Sequence, residues 1–152
     1  MQEIESNSEK SANSDERKHW DLCHTIIEVF YAVYNELGFG FLEAVYEEAL
    51  TIALAEAGFT VARQVETPIW FRGRKIGEYK ADLTVNNSVL LELKAARAID
   101  TSHESQMLNY LRATSFEVGL LLNFGPKPSF RRLVFENNRK GVRVSTAASG
   151  KE

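Results

Sequence analysis

The chain has 152 residues, of which 44% are hydrophobic and 26% charged, and its formal net charge is −3. This length suits a single domain, and no apolar run approaches the roughly 20 residues of a membrane span. The acidic N-terminus lacks the basic and apolar regions of a signal peptide, and the single cysteine, Cys23, excludes an internal disulfide. We therefore expect a soluble cytoplasmic protein with no membrane partner.

The charge is distributed unevenly along the chain. Residues 1–62 hold twelve Asp/Glu against three Lys/Arg, whereas residues 63–152 hold nine against fifteen. Basic clusters fall within 72–80 and within 127–143, and they could form a phosphate-facing surface if the fold gathers them. An ordinary solvated face is the alternative for each cluster, and the overall acidity argues against tight, unspecific coating of nucleic acid.

The first half of the chain predicts a tail and two helices. Residues 1–14 are too polar to offset the entropy of ordering and predict a disordered tail. Apolar residues recur at helical spacing from Asp15 to Leu37, and Gly38 follows where helices often stop. A second helix is expected from Gly40 to Glu56, with an inner stripe of Leu42, Val45, Ala49, Ile52 and Ala53.

The second half predicts mostly strands. Strand-like segments lie at 60–66, 68–73, 76–86 and 88–95, with turns at Arg72–Arg74 and Asn86–Asn87. A helix from Ser102 to Thr114 then leads to a buried central strand at 118–124 and a short strand from Phe130 to Phe135.

This order of elements predicts an α/β (α+β) domain over residues 15–145, followed by a flexible tail at 146–152. Right-handed crossover rules place the strand at 118–124 parallel to an earlier strand, in a mixed β-sheet flanked by helices. We expect most of Trp20, Tyr31, Trp70 and Phe71 to pack in the core, and a homodimer stays open.

Three charged residues interrupt the strands on either side of the Asn86–Asn87 turn. Alternate residues of a strand share a face, so Glu92 and Lys94 point together. Counting back from the turn places Asp82 opposite residues 91–93, beside Glu92. Paired carboxylates at that spacing favour a hard cation such as Mg²⁺, and Lys94 could then offset charge on a phosphate. A salt bridge at the end of a strand is the alternative.

Three motifs resemble those of known nucleases. Asp82 followed by Glu92-Leu93-Lys94 resembles the signature of the PD-(D/E)xK nuclease superfamily. The segment Gly40–Tyr46 resembles the motif that names the GxxExxY protein family. Gln106-Met107-Leu108-Asn109-Tyr110 is similar to the QxxxY motif of nuclease domains in bacterial recombination enzymes. The resemblance spans about Leu22 to Phe135 and implies a restriction-endonuclease-like core, a mixed sheet bracketed by helices.

The resemblance also implies roles for particular residues. Asp82 and Glu92 would hold Mg²⁺ or Mn²⁺, and Lys94 would be the catalytic lysine. Glu43 would approach the same metal from its helix as a third catalytic acid, although a surface glutamate is the alternative. The resemblance implies substrate binding or support of the site for Gln106, Tyr110 and Tyr46. For Gln106 and Tyr110 the alternative is a helix-to-sheet hydrogen bond that only supports the fold. A histidine common in the family is replaced here by Tyr34.

The function expected from these features is metal-dependent hydrolysis of phosphodiester bonds in nucleic acid, with DNA as the expected substrate. The alternative is a noncatalytic nucleic-acid-binding or protein-interaction module that keeps the fold. The sequence leaves open the choice between DNA and RNA, between single and double strands, and between cleavage at an end and internally.

Overall fold

The computed structural model of the protein describes residues 14–140. Apart from Ser14, both predicted tails lie outside the described residues, as does Arg143 of the second basic cluster. The elements are, in order, helix α1 (Ser14–Leu37), helix α2 (Glu43–Glu56), strands β1 (Val61–Phe71), β2 (Arg74–Val85) and β3 (Val89–Lys94), helix α3 (Thr101–Ala113), strands β4 (Val118–Asn123) and β5 (Ser129–Val134), and a short 3₁₀ turn (Asn137–Arg139).

The strands form one five-stranded sheet in the order β1-β2-β3-β4-β5. Neighbouring strands are antiparallel except β3 and β4, which are parallel and joined by α3. The predicted mixed sheet flanked by helices is therefore confirmed, and the earlier strand that lies parallel to the apolar run at 118–124 is β3.

Two hydrophobic clusters cover the two faces of the sheet. On one face α1 and α2 pack on alternate residues of β3 and β4, including Leu91 and Leu122. On the other face α3 packs on Leu90 and Leu121. Every residue of β4 is buried, as expected for a central strand covered on both sides. Cys23 lies in the first cluster and is fully buried.

The orientation of α2 differs from the prediction. The helix begins at Glu43, because Gly38 and Gly40 adopt positive φ angles of 71° and 115° in the preceding connection. Its buried residues are Tyr46, Glu47, Leu50 and Leu54. Three members of the predicted inner stripe are instead exposed, with relative exposures of 78% for Leu42, 41% for Val45 and 51% for Ile52. Apolar side chains occur on most sides of this helix, so spacing alone did not identify the inner face.

The two segments predicted at 60–66 and 68–73 form one continuous strand, β1. β1 lies at the edge of the sheet, where Pro68 does not interrupt a central ladder. The turn to β2 is made by Arg72 and Gly73, with φ angles of 51° and 77°, which suits a two-residue hairpin loop.

Two of the aromatic residues expected in the core are exposed instead. Trp20 is 48% exposed, beneath the guanidinium of Arg132 at 4.9 Å, and Phe71 is 42% exposed at the end of β1. Tyr31 and Trp70 are half-buried. None of the helices between residues 14 and 140 combines the length and apolar character that a membrane span requires.

Candidate functional site

The β2–β3 hairpin brings Asp82 and Glu92 together. Leu83 pairs with Leu91, and the same register extended by one residue sets Asp82 opposite Glu92. The backbone N–H of Asp82 donates to Oε2 of Glu92 at 3.2 Å, and the N–H of Leu93 donates to Oδ2 of Asp82 at 2.8 Å. Each carboxylate is therefore fixed by the backbone of the opposite strand.

Strand β2 changes its face at Asp82. Tyr79 and Ala81 pack in the cluster beneath α3, whereas Leu83 and Val85 pack in the cluster beneath α1 and α2. Alternate residues of a regular strand would all share one face, so the strand turns over between Ala81 and Leu83. Asp82 consequently lies at the boundary between the two clusters.

The neighbouring strand is irregular at the same level. Arg63 pairs with Leu83 and Val65 with Ala81, so Gln64 lies opposite Asp82. Gln64 has a φ of 50°, in the left-handed region.

The two carboxylates lie in an environment that opposes their ionisation. Burial raises the pKa of Glu92 to about 7, the charge of Asp82 adds to the effect, and the hydrogen bonds to Glu92 only partly offset it. Burial likewise raises the pKa of Asp82, and the carboxylates of Glu47 and Glu43 raise it further. The site therefore holds more negative charge than the protein alone stabilises, and a cation there would be favourable.

A chain of side-chain contacts supports Glu92 from the α3 side. The hydroxyl of Tyr79 donates a hydrogen bond to Oε2 of Glu92. The ring of Tyr79 stacks on Tyr110, with 3.3 Å between ring centroids and 19° between ring planes. Nε2 of Gln106 in turn donates to the hydroxyl of Tyr110 at 2.7 Å. Gln106 and Tyr110 thus reach the carboxylate pair through Tyr79.

Helix α2 faces the site from the opposite side. Glu43, its first residue, is exposed, and its Oε2 accepts from the N–H of Ala95 at 3.3 Å. Glu47 follows one helical turn later and is buried. It accepts from Nε of Arg63 at 3.1 Å and from Nε2 of Gln64 at 2.9 Å. Glu47 is therefore already paired, whereas the Glu43 carboxylate contacts the backbone that follows β3.

Lys94 ends β3 and is half-buried beside the pair. Its positive charge lowers the pKa of both Asp82 and Glu92, although burial outweighs this effect. The carbonyl of Lys94 accepts from the N–H of Phe124 at 2.7 Å. The backbone of Lys94 is thus hydrogen-bonded to the residue that follows β4.

A buried asparagine fastens the segment after Lys94. Oδ1 of Asn123 accepts from the N–H of Ala96, and its Nδ2 donates to the carbonyl of Ala96, both at 2.9 Å. The hydroxyl of Tyr34 donates to the carbonyl of Gly125 at 2.8 Å. Tyr34, which stands in place of the histidine of the resemblance, therefore supports the loop after β4.

Tyr46 lies in the core rather than at the carboxylates. Its ring stacks on Phe124 with 4.3 Å between centroids, and its hydroxyl donates to the carbonyl of Gly38 at 2.6 Å. These contacts hold the α1–α2 connection, from which Glu43 begins the helix.

The atoms at the site that could ligate a metal ion are carboxylate oxygens, which suit a hard cation such as Mg²⁺. Among residues 14–140, however, no group of three or more His, Cys, Asp or Glu side chains is arranged to hold a metal ion. The structure therefore joins Asp82 and Glu92 but does not add Glu43 to them as a preformed three-carboxylate cage. Magnesium is commonly held by one or two carboxylates plus water and phosphate, so the pair still fits that ion.

Sequence reasoning missed three residues that shape this site. Tyr79 contacts Glu92, Glu47 lies near Asp82, and Asn123 secures the backbone after Lys94. The four-residue spacing from Glu43 to Glu47, which sets both on one face of a helix, could have revealed Glu47. The single polar residue near the end of the apolar run 118–124 could have revealed Asn123.

Comparison with known proteins identifies a family. A family model described as the PD-(D/E)XK nuclease superfamily matches residues 20–133. The crystal structure of SSO0001 is similar in fold, with a TM-score of 0.50 and 19% sequence identity, over 72% of this chain and 56% of SSO0001. The chain thus spans little more than half the length of that protein, and a likeness at this identity concerns the fold alone. No curated protein matches the chain in sequence.

Proposed function

The chain belongs to the PD-(D/E)XK nuclease superfamily, and from this membership we propose that it hydrolyses phosphodiester bonds in nucleic acid, with DNA as its substrate. The observation that carries the proposal is the pairing of Asp82 with Glu92 across β2 and β3, beside Lys94. Within the superfamily, the Gly40–Tyr46 segment supports assignment to the GxxExxY family.

In this proposal Asp82 and Glu92 hold Mg²⁺ or Mn²⁺. The bound metal would lower the pKa of a water molecule and stabilise charge on the phosphate. The chain's own contribution is to fix both carboxylates by backbone hydrogen bonds from the opposite strand and to hold Glu92 through Tyr79. Such preorganisation is what a metal ligand needs from its surroundings.

Lys94 is proposed as the catalytic lysine. It follows Glu92 by two residues, so both side chains leave the same face of β3. Its ammonium would orient the attacking water or offset negative charge that grows on the phosphate. Glu43 is proposed as a third acid, which approaches the metal when substrate is bound. Its position beside Ala95 and its effect on the pKa of Asp82 support that role.

The test is cleavage of end-labelled single-stranded and duplex DNA with Mg²⁺ or Mn²⁺. Asp82→Asn and Lys94→Ala should each reduce cleavage by about a hundredfold or more, and chelator should abolish it. Matched controls are Glu66→Gln and Lys80→Ala, which alter an exposed ion pair at 3.8 Å between β1 and β2. Cleavage by this protein that survives in Asp82→Asn would not depend on the proposed metal ligand and would contradict the proposal.

A noncatalytic module is the second candidate. The observation that favours it is that Glu43, Asp82 and Glu92 do not form a metal-holding group within residues 14–140. Thermal unfolding separates the two candidates, because a ligand that binds the folded state raises the unfolding temperature. Stabilisation by Mn²⁺ that disappears in Asp82→Asn supports the nuclease, whereas no stabilisation and no cleavage support the module.

A further inference from the structure

An open cleft lies where the β1–β2 hairpin meets the C-terminal half of α3. Its volume is about 270 Å³. Four side chains from the hairpin and three from the helix line it: Ile69, Trp70, Phe71, Ile76, Asn109, Arg112 and Ala113. Two of the apolar side chains are exposed to solvent, Phe71 at 42% and Ile76 at 64%.

The surroundings of the cleft are positively charged although the chain as a whole is acidic. Arg72 and Arg74 lie at the hairpin turn, and the guanidinium of Arg72 rests 4.9 Å from the centre of the Phe71 ring. Arg112 lines the cleft itself, where its guanidinium lies 5.1 Å from the centre of the Phe135 ring. Of the nearby lysines, Lys75 is neutralised by Glu78 at 2.8 Å. Among the ion pairs within residues 14–140, none involves Arg72, Arg74 or Arg112, so these three arginines can attract an anionic ligand.

The cleft is close to the carboxylate pair. Asn109 precedes Tyr110, whose ring stacks on Tyr79, and Tyr79 donates to Glu92. On the hairpin, Ile76 precedes Asp82 by six residues of β2, a distance of about 20 Å along a strand. One strand of nucleic acid carries a phosphate about every 3.4 Å when stacked, so the cleft and the pair lie about six nucleotides apart along a single strand.

We propose that this cleft receives an unpaired base of the nucleic acid whose phosphate reaches Asp82 and Glu92. The inference rests on the proposed nuclease function and names its substrate as a single strand, or a duplex with an unpaired segment next to the cleavage point. Aromatic walls stack on bases of any sequence, arginines bind the flanking phosphates, and the Asn109 amide offers both a donor and an acceptor to a base edge.

An unpaired base fits the cleft better than a duplex does. In a duplex each base is paired and stacked, and it reaches a concave pocket only after extrusion from the helix. A small cleft with apolar walls takes one flat ring, whereas a duplex needs a broad basic surface for its two backbones. The described side chains around the cleft supply aromatic contact and only three unneutralised cations.

The test is fluorescence anisotropy in chelator, so that binding is measured without cleavage. The probes are labelled oligodeoxythymidine, a duplex of the same length, and a strand of the same length that carries a run of abasic sites. Phe71→Ala and Asn109→Ala are the test variants, and both positions are exposed, so the variants should fold. Ile52→Ala is the control, an exposed apolar residue on α2.

We expect wild type to bind oligodeoxythymidine more tightly than the duplex or the abasic strand. Each test variant should weaken oligodeoxythymidine binding by about tenfold and leave abasic binding unchanged. Ile52→Ala should bind as wild type does. Equal wild-type affinity for base-containing and abasic strands, tighter binding of the duplex, or wild-type binding by both variants would overturn the inference.

The cleavage assay separates this inference from the proposed nuclease function. Cleavage by wild type together with unchanged binding in both cleft variants would overturn the base-binding proposal and leave the proposed nuclease function standing. Base-dependent binding that the variants weaken, without any cleavage in Mg²⁺ or Mn²⁺, would keep the cleft and overturn the nuclease.

Discussion

Replacing Asn123 with alanine should weaken both the fold and the site. Asn123 is the last residue of β4 and is fully buried. Its amide exchanges two hydrogen bonds with the backbone of Ala96, each 2.9 Å long. Alanine removes both bonds and leaves the N–H and the carbonyl of Ala96 without this partner.

The expected loss follows from these contacts. Each hydrogen bond contributes about 1 kcal/mol net, and a partly buried backbone group that loses its partner costs about 1 kcal/mol more. With two bonds and two backbone groups, Asn123→Ala should therefore lower the free energy of unfolding by about 4 kcal/mol, or the unfolding temperature by roughly 13 °C. Because Ala96 follows Lys94 by two residues, cleavage should also fall at temperatures where the variant is still folded.

Urea unfolding followed by circular dichroism measures this loss. Asn138→Ala is the control, since Asn138 is exposed and its replacement should change stability by less than about 0.5 kcal/mol. A loss below about 1 kcal/mol in Asn123→Ala would refute the reasoning, because it would mean that water replaces the amide at no cost. If Asn123→Ala is destabilised but cleaves as wild type does, only the expected effect on Lys94 is refuted, and the stability argument stands.

Three further outcomes are expected. Tyr79→Phe removes the hydroxyl that donates to Glu92 and keeps the stacked ring, so titration calorimetry should show Mn²⁺ affinity about tenfold lower, and unchanged affinity would count against the contact. In metal-free protein, Glu92 has a pKa raised from 4.5 to about 7, so the folded state holds a proton that the unfolded chain releases. The free energy of unfolding should then fall as pH rises from about 4.5 to 7, by about 3 kcal/mol at most, and remain low above 7. Glu92→Gln should flatten this slope. Equal slopes for wild type and Glu92→Gln, measured by urea unfolding at each pH, would contradict the prediction. Gly125→Ala would push a Cβ into the carbonyl of Ala96, whereas Gly119→Ala meets only the flexible side chain of Met107. Gly125→Ala should therefore show the larger drop in unfolding temperature. Equal drops would contradict this expectation, because they would mean that the backbone at Ala96 moves aside.

The hairpin part of the site could be predicted because it depends on local geometry. A turn at Asn86–Asn87 and the two-residue period of strands place Asp82 opposite residues 91–93. In the structure the connection spans three residues, 86–88, so that Val85 pairs with Val89 and Asp82 lies opposite Glu92. The mixed sheet followed in the same way from the order of helices and strands and from crossover rules.

The remaining contacts depend on tertiary packing that no local pattern encodes. Helix α2 is apolar on most sides, so the choice of Tyr46 and Leu50 as its inner face depends on how the helix docks on the sheet. The contact of Tyr79 with Glu92 requires α3 to press Tyr110 against the hairpin. The reversal of β2 at Asp82 was equally hidden, because buried residues occupy both sides of it.

The reversal of β2 at Asp82 limits how the length of this strand can vary during evolution. With one residue more or fewer between Ala81 and Leu83, a regular strand would keep both hydrophobic clusters on their present faces, but it would lose the irregularity at which Asp82 lies. The exposed turn at Arg72–Gly73 carries no such restriction. The hairpin can therefore grow or shrink at its tip, while the length of the segment around Asp82 is fixed by the position of the carboxylate pair and not by the packing of the core.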